Sequence, residues 1–386
     1  MQPIITSLLD TDLYKFTMMQ CIWHHFPDAM AEFRFTSRKP VDLGAFAQAL
    51  THEIQQLCRL QFTPDDLNYL ASLPYMKADF IDFLRAFQLS EQHVQISTDN
   101  GFDLRVKGPW VNTILFEVPL LAIISEIFYR HHFPHEDFLE AKTRLSDKIA
   151  FVKTQAPDLQ FSDFGTRRRF AKAWQETVVA TFAKELPAQF IGTSNILLAK
   201  QFNIKPIGTM AHEYLQACQV LAPQLKGSQK FALEIWLKEY PEHLKIALTD
   251  TLTMDVFLQE FDQNLAQRYD GLRQDSGDPF EWGEKALRHY QAFNIDAHSK
   301  TFVFSNSLTL PMAAKINDYF KARSRCQFGI GTNLTNDVGH TPLDIVIKMI
   351  YVNQKPVVKI SDSPGKMVCE DKDYLHLVKQ TFQLKD

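Results

Sequence analysis

From about residue 160 onward the chain repeats one arrangement: a short apolar strand, a polar turn that mostly carries glycine, and then a helical stretch. Segment 159–164 runs into DFGTRRR, 189–191 into GTSN, 204–207 into GTMAHE and 245–248 into TDT. Segment 268–272 runs into RQDSGD, 301–304 into SNS and 326–330 into GTN. Seven strand-to-helix junctions of this kind predict parallel strands joined by helical crossovers. Every polar cluster then follows a strand, so all of them share one face of the sheet, where an α/β barrel carries its active site. A doubly wound open sheet is the competing fold, but it would use its switch point and not nearly every loop.

The first 130 residues lack this repeat. Positions 13–26 read as a helix capped by Asp10 or Asp12, and EFRFTS (32–37) alternates like a half-buried strand. VQIST and DLRVK flank Asn100-Gly101, a hairpin signal, and 115–130 reads as an apolar helix. Near the C-terminus DIVIKMIY and KPVVKI bracket Asn353-Gln354, a second hairpin expected to return to the N-terminal domain. With 386 residues there is enough chain for two cores. The division expected is an N-terminal α/β domain over 1–130 joined by 344–386, and a barrel over 131–343.

Composition narrows the partners. Basic and acidic side chains number 41 and 45, for a net charge of -4 with no strongly basic tract, which argues against nucleic acid. Basic residues that matter are then local and aimed at small anions. The five cysteines are scattered without a CxxC pair, so neither a disulfide framework nor a structural zinc site is expected, and a reducing cytoplasm fits. The first sixteen residues have no basic n-region or long apolar run, unlike a signal peptide. The most apolar segment, 114–128, is broken by Glu117, Pro119 and Glu126 and reads as too short and too charged for a membrane span.

The densest chemistry lies in GLRQDSGDP (271–279). Tyr269 is read as ending a strand and Pro279 as opening a helix capped by Asp275 or Ser276. Arg273 offers a planar fork for a carboxylate or phosphate, while Asp275 and Asp278 could hold Mg²⁺ or face a developing positive charge. The plain alternative is an ordinary capped turn; the arginine and six similar junctions weigh against it. In DFGTRRR, Phe164 is placed to stack on a flat ring. Three arginines at a helix start oppose the macrodipole unless an anion offsets them, and Arg167 and Arg168 are favoured over Arg169 for that contact. His212 is the one histidine of thirteen at a glycine-bearing strand-end turn. The positive helix end disfavours imidazolium and leaves a ring nitrogen as base or nucleophile. GTSN (192–195) and GIGT (329–332) expose backbone amides that suit phosphate or ribose hydroxyls, and either could simply be a tight turn. The HHxxH run at 131–135 is interrupted by Pro134 and is left as structural. Neither a GxGxxG fingerprint nor a P-loop occurs. The only Asp-Asp pair, Asp65-Asp66, sits in a helix-capping context and not after a strand.

Several long segments, in order along nearly the whole chain, resemble the bacterial nicotinate phosphoribosyltransferase family. They are LLDTDLYKFTM (8–18), FEVPLLAIISE (116–126), DFGTRRRF, IGTSN, GTMAHE, LTDTLTMD (248–255), GLRQDSGDP, FGIGTNLTND (328–337) and KISDSPGK (359–366). The resemblance implies an irregular α/β barrel with an additional N-terminal α/β domain, akin to an open-faced sandwich, completed by C-terminal strands. It implies a cytoplasmic homodimer with shared active sites that has no nucleic-acid or membrane partner. The implied reaction, in NAD salvage, converts nicotinate and 5-phosphoribosyl 1-pyrophosphate to nicotinate mononucleotide and pyrophosphate. Mg²⁺ is the implied cofactor and ATP the co-substrate, hydrolysed through a phosphohistidine at His212. Tyr14 of a neighbouring subunit and Phe164 would flank the pyridine ring, Thr209 and Arg273 would meet nicotinate, and Ser194 would favour the acid over the amide. Arg167, Arg168, Gly331 and Thr332 would hold the phosphoribosyl pyrophosphate, and Asp275 would lie near the ribose or metal, with Asp278 a further metal ligand. Ser305-Asn306-Ser307 departs from the Ser-Asp-Asn that relatives often show, which counts against a carboxylate role at Asn306. The rival expectations are a nicotinamide- or quinolinate-using transferase of the same fold and a non-catalytic nucleotide-binding barrel.

Overall fold

The computed structural model describes residues 2–99, 101–363, 367 and 369–384. Two sheets organise it. The first has five strands in the order β11-β10-β1-β3-β2, comprising β1 (Met30–Ser37), β2 (Val94–Ser97), β3 (Asp103–Pro109), β10 (Ile345–Val352) and β11 (Lys355–Pro356). All its pairings are antiparallel, and alternate residues of β1 are buried, as a sheet with one covered face requires. The β2–β3 hairpin forms as expected, although Asn100 of its turn lies outside the described residues. At the β10–β11 turn Asn353 and Gln354 take φ of 47° and 62°, the left-handed pair that a two-residue hairpin needs. β10 lies beside β1, so the two ends of the chain share this sheet. Beyond β11 the chain leaves it. Val358, Val378 and Phe382 pack with Leu252 and Val256, which sets the C-terminal helix Lys372–Phe382 against the barrel half instead.

The second sheet is all parallel, in the order β5-β4-β9-β8-β7-β6. Its strands are β4 (Phe161–Asp163), β5 (Phe190–Thr193), β6 (Ile246–Leu248), β7 (Gly271–Gln274), β8 (Thr301–Phe304) and β9 (Arg325–Ile330). Six of the seven expected strands are present. The seventh, 204–207, is not a regular strand but closes the barrel as a bridge. On one side Thr193 accepts from the Ile207 amide at 2.8 Å and donates to the Lys205 carbonyl at 3.2 Å. On the other, the Thr209 hydroxyl donates to the Ile246 carbonyl at 3.1 Å. Pro206 lacks an amide hydrogen, so a full ladder cannot form there, and the barrel is irregular at this seam.

Helix Leu13–His25 joins the two halves. Its residues from Leu13 to Ile22 are all buried, polar ones included, as for a helix surrounded on every side. Thr17 donates to the Thr209 carbonyl, and Gln20 donates to the Glu239 carboxylate at 2.8 Å. The helical run Trp110–His132 is, by length and composition, apolar enough to cross a membrane, contrary to the sequence reading. Its most apolar window is 78% buried inside the fold, which identifies a core helix.

Candidate active site

The strand ladder builds one wall of the site. Register places Leu248, Arg273, Val303 and Gln327 in one row across β6, β7, β8 and β9. Alternation along a strand keeps this row on one face, and Arg273, Val303 and Gln327 all line one open cavity. Ser162, Phe164 and Thr209 line it too. Phe164 leaves the end of β4 and lies over Gly329, where an added Cβ would fall 2.2 Å from its ring. The Arg273 guanidinium stands 5.8 Å from the Phe164 ring centroid, so the flat face and the cation share one mouth. Arg273 lies inside β7, which begins at Gly271, so Tyr269 does not end a strand before it as expected. Its Nε donates to Ser305 Oγ at 3.0 Å and its Nη1 to the Met210 carbonyl at 3.4 Å.

Beside that mouth four stretches bring charge together. His212 opens the helix His212–Leu221, and its Nε2 is 2.7 Å from Asp250 Oδ1 and 2.8 Å from Lys359 Nζ. One nitrogen cannot donate to the carboxylate and accept from the ammonium together. With Nε2 protonated, Nδ1 holds the lone pair; with Lys359 donating, Nε2 holds it. Burial lowers the His212 pKa, and Lys359 lowers it further against the pull of Asp250. Burial pushes the Asp250 carboxyl up, but His212 and Lys359 outweigh it and hold the acid well below its usual range. Asp275 accepts from Ser305 Oγ at 2.8 Å; burial would raise its pKa, but Arg273 beside it keeps it low. Ligand atoms of His212, Asp250 and Asp275 all lie within 4.8 Å of one another.

Several expectations change here. Asp278, and not Asp275 or Ser276, caps helix Pro279–Ala292, accepting from the Phe280 and Glu281 amides at 2.9 and 2.8 Å. Asp278 is exposed and engaged as a cap, so it does not join the acids around His212; Asp250 does. Asp250 sits in the TDT turn, at the same strand-end position as the other rim groups, and that signal could have found it. Lys359 opens the KISDSPGK motif, but nothing local joins it to His212, because only the return of the C-terminal segment brings it in: Ile360 donates to Thr251, and Asp362 to Ser276. Pro364 to Lys366 of the KISDSPGK motif lie outside the described residues.

The three arginines separate. They precede a helix that starts only at Lys172, with Thr166–Arg168 forming a short 3-10 turn. Arg169 is fully buried, with both terminal nitrogens on Asp10 at 2.7 and 2.9 Å. Arg167 reaches Glu117 at 3.4 Å and Arg168 reaches Asp344 at 3.0 Å, both half-buried. Gly331 and Thr332 follow β9 directly, where Phe164 donates its amide to the Ile330 carbonyl, so the GIGT turn stands next to the aromatic. Ser194 is buried and donates to Asp12 Oδ1 at 2.7 Å; it does not line the cavity. Tyr14 of the same chain is almost wholly buried beside Gly208 and does not line it either.

Comparison with known proteins agrees with this architecture along the whole chain. The model of the nicotinate phosphoribosyltransferase (NAPRTase) family matches residues 159–386, and the model of its N-terminal domain matches 9–125. Nicotinate phosphoribosyltransferases of Ralstonia nicotianae and Bordetella petrii are each 49% identical, over 98% and 99% of this chain and 99% of each relative. The crystal structure of nicotinate phosphoribosyltransferase from Vibrio cholerae superposes with a TM-score of 0.95 at 39% identity, covering 99% of this chain and 94% of that one. The enzyme from Porphyromonas gingivalis gives 0.93 at 34%, covering 98% and 100%. An aromatic-lined cavity with an arginine at its mouth, a histidine held by an acid and a lysine next to it, and this likeness from end to end place the chain in the nicotinate phosphoribosyltransferase family.

Proposed function

We infer that the chain joins nicotinate to 5-phosphoribosyl 1-pyrophosphate, giving nicotinate mononucleotide and pyrophosphate, with ATP as co-substrate. The observation that carries this reading is the adjacency of two unlike subsites. A ring-sized apolar slot with a cation at its mouth opens beside a histidine flanked by two carboxylates and a lysine. The ring nitrogen attacks C1 of the ribose, the C1–N bond forms, and the bond to pyrophosphate oxygen breaks. Phe164 supports the ring, Arg273 receives its carboxylate with the Thr209 hydroxyl turning to it from Ile246, and the partner subunit's Tyr14 would cover the other ring face. A carboxylate at position 194 would face Asp12 and add negative charge near an acid substrate, so Ser194 favours nicotinate over nicotinamide.

Asp275, kept ionised by Arg273, stabilises the positive charge that develops on the ribose. Arg167, Arg168 and the amides of Gly331 and Thr332 offer the phosphate contacts. His212 accepts the γ-phosphoryl group of ATP on its unprotonated nitrogen as the bond to the bridging oxygen breaks and ADP leaves, and water later cleaves the P–N bond and releases phosphate. Mg²⁺ takes oxygen ligands, and the Asp250 and Asp275 carboxylates would hold it; when bound it neutralises charge on the leaving pyrophosphate. A homodimer with shared sites is the proposed assembly, since a partner could cover the ring face opposite Phe164. The test is an assay of purified protein with labelled nicotinate and phosphoribosyl pyrophosphate, with and without ATP. Labelled nicotinate mononucleotide that increases with ATP is expected; no product in either arm would overturn the assignment.

A further inference from the structure

The cavity has an end that the roles above leave unused. Among the groups that line it, Thr209 already donates to Ile246, and Arg273 to Ser305 and Met210. Ser162 and Gln327 differ. Both line the cavity, yet among the described residues neither side chain makes a hydrogen bond with the protein. Ser162 is only 2% exposed, so its hydroxyl opens into the cavity and not to bulk solvent. Ser162 pairs with Gly329 on β9, two residues beyond Gln327, so the two polar groups lie on one inward face. Ser162 is buried and Gln327 half-buried, and a polar group is costly to leave unpaired once a ligand displaces the water beside it, so the pair favours a ligand with a polar group at this end of the cavity.

Register gives the direction. Gln327 and Arg273 flank Val303 in the same row, two strands apart, which is roughly 10 Å at ordinary strand spacing. A pyridine acid with its carboxylate at Arg273 and its nitrogen toward the rim lies across Val303. Ring carbons 3 and 5 fall on opposite sides of the axis through the nitrogen, so carbon 5 then points toward Gln327. We propose that Ser162 and Gln327 are specificity-determining residues that read this far ring edge, so that the site accepts nicotinates bearing a small hydrogen-bonding substituent at carbon 5. This rests on the reading that the cavity takes the ring of nicotinate.

The test compares kcat/KM for 5-hydroxynicotinate and 5-methylnicotinate, near-isosteres that differ in hydrogen bonding, using the purified full-length chain with phosphoribosyl pyrophosphate and ATP. The native protein is expected to favour the hydroxyl compound by roughly tenfold or more, because a site built to bond a hydroxyl rejects the analogue lacking it. Gln327→Leu keeps the side-chain bulk and removes the amide, and it should lower that ratio about tenfold. Ser162→Ala should lower it by about threefold and carries the same test if the leucine variant does not fold. An equal ratio in the native protein and both variants, or turnover of nicotinate with neither analogue accepted, overturns the inference alone. Failure of the native protein to turn over nicotinate overturns the reading beneath it.

Discussion

The ring side and the phosphoryl side of the rim are built by different forces. On the ring side, Arg273, Val303 and Gln327 owe their alignment to the parallel ladder, and Phe164 owes its seat to a missing side chain at Gly329. Backbone hydrogen bonds and close packing hold these positions, so fit there is rigid. On the phosphoryl side, His212, Asp250, Asp275 and Lys359 come from four separate stretches and are held by mutual charge. Charge pairs of this sort are coupled, so removing one member alters the protonation of the rest. The ring side should therefore respond to changes of shape, and the phosphoryl side to changes of charge and pH.

The largest effect expected is that of His212→Ala, which should abolish phosphoprotein formation and all stimulation by ATP while weak ATP-independent transfer persists. Acid-labile phosphate counted on the purified variant checks this, and full ATP stimulation would contradict the role of His212. Next is Gly329→Ala. Its methyl would meet the Phe164 ring at 2.2 Å, so the ring must tilt out of the slot. We expect kcat/KM for nicotinate to fall by about 10- to 100-fold, or about 1.4 to 2.8 kcal/mol of transition-state stabilisation. Phosphorylation of His212 should continue in that variant, and an equal loss of both would show that the two sides are not separate. The smallest effect concerns pH. Because the His212 pKa is lowered from 6.5 in the folded chain, the neutral imidazole persists below the pH at which a free histidine is half charged. Phosphoprotein formation should therefore stay level from pH 8 down to 6.5 and fall only below it. The same shift makes the unfolded chain bind the extra proton first, so this group's share of stability is present above 6.5 and lost as pH falls. Lys359→Met removes a neighbouring positive charge and should raise the midpoint of the rate profile; an unmoved midpoint would break the link between Lys359 and His212.

A third region shows how the two sides are tied together. Lys15, fully buried, pairs with both Glu117 and Glu213, and Trp110 donates to Glu213 at 2.7 Å. Burial alone would lower the Lys15 pKa, but the two carboxylates outweigh it and keep the ammonium charged. Glu213 follows His212 in the chain, and Glu117 faces Arg167, so helix Leu13–His25 braces the phosphoryl side from behind. Lys15 stands inside one of the motifs of the N-terminal segment, but no local pattern marks it as an ion-pair centre. Its partners are 102 and 198 residues away, as 117 less 15 and 213 less 15.

Strand-end chemistry was legible because it is local. A polar turn after an apolar run has one place to go in a parallel barrel, so the sequence alone gathers Phe164, His212, Arg273, Asp275 and Thr332 on one rim. Family likeness was legible for the same reason, since most of its motifs are those turns. Other assignments depended on competition between neighbours that a linear reading cannot weigh. Asp278 took the helix cap because its oxygen, and not that of Asp275 or Ser276, reaches the amides of Phe280 and Glu281. Of three consecutive arginines, only Arg169 was consumed by a buried acid, Asp10.

By itself the sequence determined the alternation of strand and helix, the turn chemistry and hence the sheet edge at which the polar turns gather, because periodicity and capping act over a few residues. Only the tertiary structure decided that Pro206 would leave the barrel an irregular seam, that Lys359 would arrive at His212, and that Ser162 and Gln327 would face the ring slot without partners. Those outcomes depend on contacts between residues far apart in the chain, where packing and desolvation, and not local preference, choose the neighbour.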